Sequence, residues 1–230
     1  MSDFKFNISS SLEELREYIR TLISERVRHS NFDINEFRTL VAAEKSLSHK
    51  RRVAMAYCNK YLTVLGAGSS RAAFRFSSRF AIKVAMNGDG NEQNAQELKV
   101  YSNPKIRPLL TKIVEHDGNN VWLMAEIVRE IGSQREFFEM IGMPKNINVS
   151  LFQFMFYIED KTDGLAEING RSVEMSEIEN LFSPELNMFI EQLRDLVSEG
   201  NLYTIELAVP GHWGKTADGR LVLLDYGLGD

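Results

Sequence analysis

Tyr61-Leu62-Thr63-Val64-Leu65-Gly66-Ala67-Gly68-Ser69-Ser70-Arg71, followed by Ala73 to Phe76 and Phe80-Ala81-Ile82-Lys83-Val84-Ala85, is the stretch on which the fold turns. Tyr61 to Leu65, Ala73 to Phe76 and Phe80 to Ala85 are short apolar or β-branched runs. Gly66-Ala67-Gly68-Ser69-Ser70 and Ser77-Ser78-Arg79 interrupt them, so the segment predicts an antiparallel meander. The glycine-bearing loop stands between two strands rather than between a strand and a helix. That placement argues against a dinucleotide fold and against a Walker loop. A hairpin covering phosphates fits better: without side chains at Gly66 and Gly68, backbone N–H groups can approach an anion, and Ser69 and Ser70 add hydroxyl donors. Taken alone, Gly-Ala-Gly-Ser is also an ordinary hairpin connection.

Lys83 lies inside an otherwise apolar strand. An ammonium there is expensive to bury alone, so Lys83 either reaches solvent along its stem or meets an acid and an anionic ligand. The next helix, led in by the polar stretch Asn87 to Gln93 and running through Tyr101 to Asn103-Pro104, carries Glu97. Leu98 and Tyr101 form its buried i, i+3 pair, which puts Glu97 at the edge of the sheet-facing surface and makes a Lys83–Glu97 ion pair an expectation. Pairing with solvent or a local lysine is the plainer alternative for a helix acid. Leu110 to Glu115 and Val121 to Val128 pair across His116-Asp117-Gly118-Asn119-Asn120, giving a five-strand sheet with one helix inserted after its third strand.

Upstream, Ser11-Leu12-Glu13-Glu14 has capping-box spacing, with Leu12, Leu15, Ile19, Leu22 and Ile23 on one stripe, so a first helix is expected to about Arg28. Asp33-Ile34-Asn35-Glu36 repeats the signal ahead of Phe37, Leu40 and Val41. That segment closes in His49-Lys50-Arg51-Arg52, read as a solvated helix terminus whose cations suit the dipole rather than as a nucleic-acid contact. Downstream of Glu130 the character turns helical, with a Gly-bearing loop at Asp163-Gly164 and Asn169-Gly170. A helix from Ser183 and Pro184 to Gly200 has Leu186, Phe189, Ile190, Leu193, Leu196 and Val197 on one stripe. Thr204 to Val209 and Arg220 to Asp225 read as two last strands. Asp225-Tyr226-Gly227 places a carboxylate at the end of an apolar strand, where it can hold a divalent ion against phosphate oxygens or simply cap a turn.

Composition narrows the function classes. The chain has 230 residues and 43% hydrophobic content, enough for one domain of two lobes and a sizeable core. Twenty-seven Lys and Arg against 32 Asp and Glu give a net charge of −5, so no global basic field gathers nucleic acid. Cys58 has no partner for an internal disulfide, and His29, His49, His116 and His212 show no zinc spacing. Met1-Ser2-Asp3-Phe4-Lys5 lacks the apolar core of a signal peptide and no stretch is long enough to span lipid, so a cytoplasmic protein without a membrane role is expected.

Gly66-x-Gly68, Ala81-x-Lys83, Glu97, Val121 to Met124 leading into Ala125-Glu126-Ile127, and Asp225-Tyr226-Gly227 occur in the order and rough spacing of the protein-kinase-like fold. The combinations Gly68-Ser69-Ser70-Arg71, Ile82-Lys83-Val84-Ala85 with Gln93-Asn94 and Glu97, and Trp213-Gly214 ahead of Leu223-Leu224-Asp225-Tyr226-Gly227 resemble the small kinase-like proteins of tailed bacteriophages. The resemblance covers about residues 60 to 230. It implies an α+β, two-lobed fold, with a five-strand antiparallel N-lobe sheet over 60–130 and a truncated, mainly helical C-lobe over 131–230; residues 1–59 lie outside the resemblance and are expected, from their caps and stripes, to form an N-terminal helical extension. It further implies ATP and Mg2+ as cofactors. Gly66 and Gly68 would cover the triphosphate, Lys83 would bind its α and β phosphates with Glu97 orienting it, and Asp225 would bind magnesium. Ala81 would border the adenine and Glu126 to Val128 would be the hinge backbone.

Two departures bear on activity. The family expects an Asp and, five residues on, an Asn in its catalytic loop, where this chain has Thr204-Ile205-Glu206-Leu207-Ala208-Val209-Pro210-Gly211-His212-Trp213-Gly214. Glu206 is the nearest carboxylate to the Asp position, but its extra methylene moves the oxygens, and a misplacement of ~1 Å can cost ~100-fold. His212 stands near the missing Asn; it is a weak magnesium ligand and reads better as a loop histidine satisfied by backbone. Second, only five residues follow Asp225 in this sequence, which leaves no later segment to dock a peptide. The expectation is therefore a kinase-like nucleotide-binding protein, a pseudokinase presenting a surface to a host or viral protein, in the cytoplasm of an infected cell if viral. The alternatives are a minimal Mg-ATP phosphotransferase using Glu206, and a kinase-shaped component of a viral particle.

Overall fold

A computed structural model describes residues 31–160, 164–200, 202 and 204–224. The expected helix behind Ser11, and Asp163 and Asp225, lie outside the described residues. Asp33 caps α1 (Ile34–Ala43), its carboxylate accepting from the Asn35 and Glu36 amides at 2.8 and 3.2 Å. After a short break, Ser46 caps α2 (Leu47–Tyr61) by accepting from the His49 amide at 3.2 Å. His49-Lys50-Arg51-Arg52 thus begins a helix rather than closing one, a correction to the sequence reading. Its cations face the positive end of the dipole with no acid in the first turn to offset them.

The sheet follows: β1 (Thr63–Ala67), β2 (Arg71–Arg75), β3 (Phe80–Ala85), β4 (Ile113–His116) and β5 (Trp122–Glu126), antiparallel throughout in the order β1-β2-β3-β5-β4. The expected five-strand antiparallel architecture is present. Its one inserted helix, α3 (Gly88–Ser102), is capped by Asn87 and lies between β3 and β4. Strand alternation sorts the side chains. Ala72, Phe74, Ile82, Val84, Trp122 and Met124 join Phe37, Val41, Ala54, Tyr57 and Cys58 of α1 and α2 in one core. Leu123, Ala125 and Ile113 face the other way, toward Leu98 and Tyr101 of α3. The sheet is therefore covered on both faces, and Lys83, out of phase with Ile82 and Val84, belongs to the α3 face.

The second half continues through β6 (Arg129–Glu130), α4 (Gln134–Met140), β7 (Ile147–Asn148), α5 (Leu151–Glu159), β8 (Leu165–Ile168) and β9 (Arg171–Glu174). It closes with α6 (Pro184–Gly200), α7 (Thr204–Leu207), β10 (Trp213–Lys215) and β11 (Leu221–Leu223). Leu186, Ile190, Leu193 and Leu196 of α6 pack on Phe137, Phe154, Tyr157 and Trp213 in a second core. Six of these elements are strands, forming the small sheets β11-β10-β6 and β7-β8-β9; β11 is the strand expected over Arg220 to Asp225, and the other five were not in the helical reading. The turn between β8 and β9 is Asn169-Gly170, with φ of 52° and 77°, the paired left-handed conformation that a two-residue hairpin requires. Thr204 to Val209 is not the strand that its β-branched residues suggested. It forms one helical turn, because Leu207 is buried and its carbonyl accepts the Trp213 indole N–H at 2.8 Å. No helix among the described residues is long and apolar enough to cross a membrane.

Candidate functional site

β2 and β3 pair with Ala73 opposite Lys83 and Arg71 opposite Ala85, so Arg71 and Lys83 project from the same sheet face one pleat apart. α3 crosses that face with Gly90, Asn94, Glu97 and Val100 turned inward. Glu97 is therefore buried at 1% side-chain exposure, deeper than the edge position that the Leu98–Tyr101 stripe implied. Lys83 Nζ donates to its two oxygens at 2.9 and 3.0 Å, and to the Leu224 carbonyl at 3.3 Å. Arg71 Nη1 donates to the same Glu97 Oε1 at 2.5 Å. A buried carboxylate is tolerated when charge and hydrogen bonds compensate it, and here two cations do so.

The helix also holds the loop that leads into β2. Ser70 Oγ donates to Gln93 Oε1 at 2.6 Å, Asn87 Nδ2 donates to the Ser69 carbonyl at 3.3 Å, and the Met86 amide donates to the Ser70 carbonyl at 2.7 Å. The Ser70 hydroxyl is thus directed at α3, while Ser69 is exposed. Gly66 and Gly68 are also exposed. A Cβ at Gly66 would meet nothing within 4 Å, and one at Gly68 only the Arg71 carbonyl at 4.0 Å. Neither glycine has positive φ. Packing within the chain therefore does not account for glycine at either position.

Ala81 pairs with Ala125 on the Lys83 face, giving that face a floor of small side chains. From Glu126 to Val128 the chain passes from the five-strand sheet to β6. The Glu126 amide donates to the Lys112 carbonyl at 2.9 Å, the Ile127 amide to the Arg79 carbonyl at 2.7 Å, and Glu126 Oε2 accepts from Arg220 at 3.4 Å. Val128 is half-buried beside Gly214, where a Cβ would come within 2.7 Å of its methyl group.

The C-terminal strand is brought to Lys83 by Thr111, whose hydroxyl donates to the Leu223 carbonyl at 2.6 Å. The Leu224 amide donates to the His212 carbonyl at 2.8 Å, and His212 Nδ1 lies 2.8 Å from the Glu206 carbonyl. A carbonyl can only accept, so Nδ1 carries the proton in this hydrogen bond. Glu206, His212, Leu224 and Lys83 are joined in this way by three hydrogen bonds that all run through backbone carbonyls. Asp225 is the next residue after Leu224 in the chain. Among the described residues, no group of three or more His, Cys, Asp or Glu is placed to hold a metal.

Arg71 and Asn94 are the members that sequence reasoning used only as part of a resemblance. Their signal was present: a guanidinium on a strand of alanines and phenylalanine, and an amide on the helix stripe that carries Glu97. A groove of about 440 Å³ between α4 and β7, lined by Phe138, Met143, Pro144 and Val149 among others, holds none of these residues.

No family model and no curated protein matches this chain. Among solved structures, it is similar to SAICAR-synthase from Saccharomyces cerevisiae complexed with SAICAR, at 11% identity and TM-score 0.33 over 71% of this chain and 72% of that one. It is also similar to choline kinase LicA from Streptococcus pneumoniae, at 18% identity and TM-score 0.35 over 78% and 69%. The GDP and kanamycin complex of APH(2")-IIia is a third, at 14% identity and TM-score 0.28 over 72% and 66%. Scores this low assign no activity.

Proposed function

We propose that this chain is a kinase-like protein that binds a magnesium nucleoside triphosphate at the Lys83–Glu97 cleft and acts as a pseudokinase, presenting its surface to a protein partner. The observation that carries the binding is the ammonium of Lys83, held by a buried carboxylate on the α3 face of the sheet. That pairing fixes a cation for an anionic ligand. Two glycines that the chain's own packing does not require are consistent with a ligand approaching their backbone. The residues suited to the nucleotide are Gly66, Gly68 and Ser69 over phosphates, Lys83 on them, and Ala81 beside the base. Asp225 is the oxygen ligand proposed for magnesium, which would neutralise phosphate charge.

Weak or absent turnover follows from Glu206 and His212 standing where an Asp and an Asn are wanted, with His212 engaged by the Glu206 carbonyl. A minimal phosphotransferase is the second reading. What favours it is the chain of hydrogen bonds, each accepted by a backbone carbonyl, from Glu206 through His212 and Leu224 to Lys83, which ties that segment to the cationic site. In either case we place the protein in the cytoplasm, of an infected cell if the chain is viral, with a host or viral protein as partner. Transfer of labelled γ-phosphate separates the two readings: melting shifts with ATP and magnesium but no ADP released supports the module. ADP formation that disappears in Asp225→Asn supports the enzyme, and no shift at any ATP concentration rejects nucleotide binding altogether. A ~100-fold excess over Kd adds ~2.7 kcal/mol, which melting detects readily.

A further inference from the structure

Glu97 is met by two cations in different ways. Lys83 Nζ spans both oxygens at 2.9 and 3.0 Å, whereas Arg71 Nη1 approaches Oε1 alone at 2.5 Å. A carboxylate has about four lone-pair directions, so the two donors do not exclude each other. Arg71 is also fastened to α3. Its Nη1 lies 3.4 Å from Asn94 Oδ1, and fully buried Asn94 is fixed in turn by donating to the Asn120 carbonyl at 2.9 Å. The residues just before it, Ser69 and Ser70, are tied to Asn87 and Gln93. Lys83 differs: its side chain keeps 19% exposure against 10% for Arg71, and its flexible stem lets the ammonium turn.

We propose that Arg71 is a positioning residue, one that keeps Glu97 partnered while Lys83 turns from the carboxylate to a multiply charged anion such as a di- or triphosphate. This rests on the reading of the cleft as a nucleotide site. If Lys83 were the sole cation on Glu97, moving it to a phosphate would strand a buried carboxylate, and the lysine would stay where it is. With Arg71 in place the carboxylate remains compensated, and Lys83 is available at little cost. Arg71 acts through Glu97 and has no need to touch the ligand.

Titration of ATP and of inorganic tripolyphosphate, each with magnesium, into the full chain, Arg71→Met, Glu97→Gln and the double variant tests this. Arg71→Met is expected to weaken binding about tenfold or more, and Arg71→Lys, which keeps the charge, to stay within about threefold of the parent. In the Glu97→Gln background, Arg71→Met changes affinity less than about twofold, because an amide needs no counter-charge. An equal loss in both backgrounds would make Arg71 a direct phosphate ligand. Unchanged affinity with a lowered melting temperature would make it merely structural. Either result overturns the proposal. A second measurement needs no nucleotide: acylation of Lys83 by a small amine-reactive ester, read by peptide mass spectrometry, slows severalfold in Arg71→Met, since Glu97 then holds the lysine alone. Equal or faster acylation in the folded variant refutes the hand-over. Slowed acylation in a chain that binds neither anion supports it and refutes only the nucleotide reading.

Discussion

A Cβ on Gly90 would sit 2.3 Å from the Ser70 carbonyl and 3.0 Å from Ala85, so this position, unlike Gly66 and Gly68, is glycine because backbone passes against backbone. Gly90→Ala must push the start of β2 off α3, and overpacking of that kind costs about 1–3 kcal/mol. Urea denaturation should register it, and a variant within half of the smaller figure would mean that the two segments do not touch as described. Lys83 was legible in the sequence because an ammonium among Ala, Ile and Val asks for a partner, and Glu97 was the acid within reach. Arg71 was less legible, since an arginine beside a glycine-serine loop reads equally well as a solvated strand end. Only the register, Arg71 opposite Ala85 and Ala73 opposite Lys83, puts its guanidinium on the same carboxylate. The depth of Glu97 was missed because Leu98 and Tyr101 drew the helix stripe one position away from Asn94 and Glu97.

At the scale of elements, the meander over β1 to β3 and the helix over Pro184–Gly200 were readable because each combines a hydrophobic period with turn or cap residues. Of the elements of four residues or fewer, β4 and β11 were readable from their apolar runs and the rest were not. Thr204–Leu207 has no room for a helical period, and its one turn is decided by burial of Leu207 and by Trp213, distant choices that local propensity does not contain. Asn169-Gly170 did carry a hairpin signal, but its flanking strands are short and mostly exposed. The boundary between α1 and α2 was overlooked for a different reason: three residues, Glu44 to Ser46, separate them, and the basic run beyond was assigned to the wrong helix end. That error yields a prediction. α2 begins with a Ser46 cap but without acid in its first turn, so Ser46→Ala should cost about 1 kcal/mol. Ser48→Glu, exposed and one position inside the helix start, should gain about 0.5–1 kcal/mol from the dipole and from Arg51 and Arg52. Thermal melting of both variants checks this, and a neutral or destabilising Ser48→Glu would contradict the placement of the basic run.

Over the whole molecule, each of the two cores contains a buried tyrosine bonded to a carboxylate: Tyr57 to Glu36 at 2.6 Å, and Tyr157 to Glu179 at 2.5 Å. Burial, and then the acceptor carboxylate, push both phenols up to about 12 from the usual 10.0. A group whose folded pKa is raised contributes stability that is present below its unfolded pKa and is lost as pH rises through the folded one. The chain should therefore hold its stability to about pH 10 and lose it progressively toward pH 12, by about 5 °C or more in melting temperature. A melting temperature flat across that window would mean that these phenols are solvated. The two halves meet where Thr111 grips β11, and that contact carries Leu224 to Lys83.

The central claim is that the Lys83 ammonium, set by Glu97, receives a nucleoside triphosphate. Calorimetric titration of ATP with magnesium into the full chain and into Lys83→Met tests it most directly. Saturable one-to-one binding by the parent chain, weakened about tenfold or more by Lys83→Met while the variant melts as a folded protein, is the expected result. Equal affinity in the two proteins would place the nucleotide elsewhere and contradict the account.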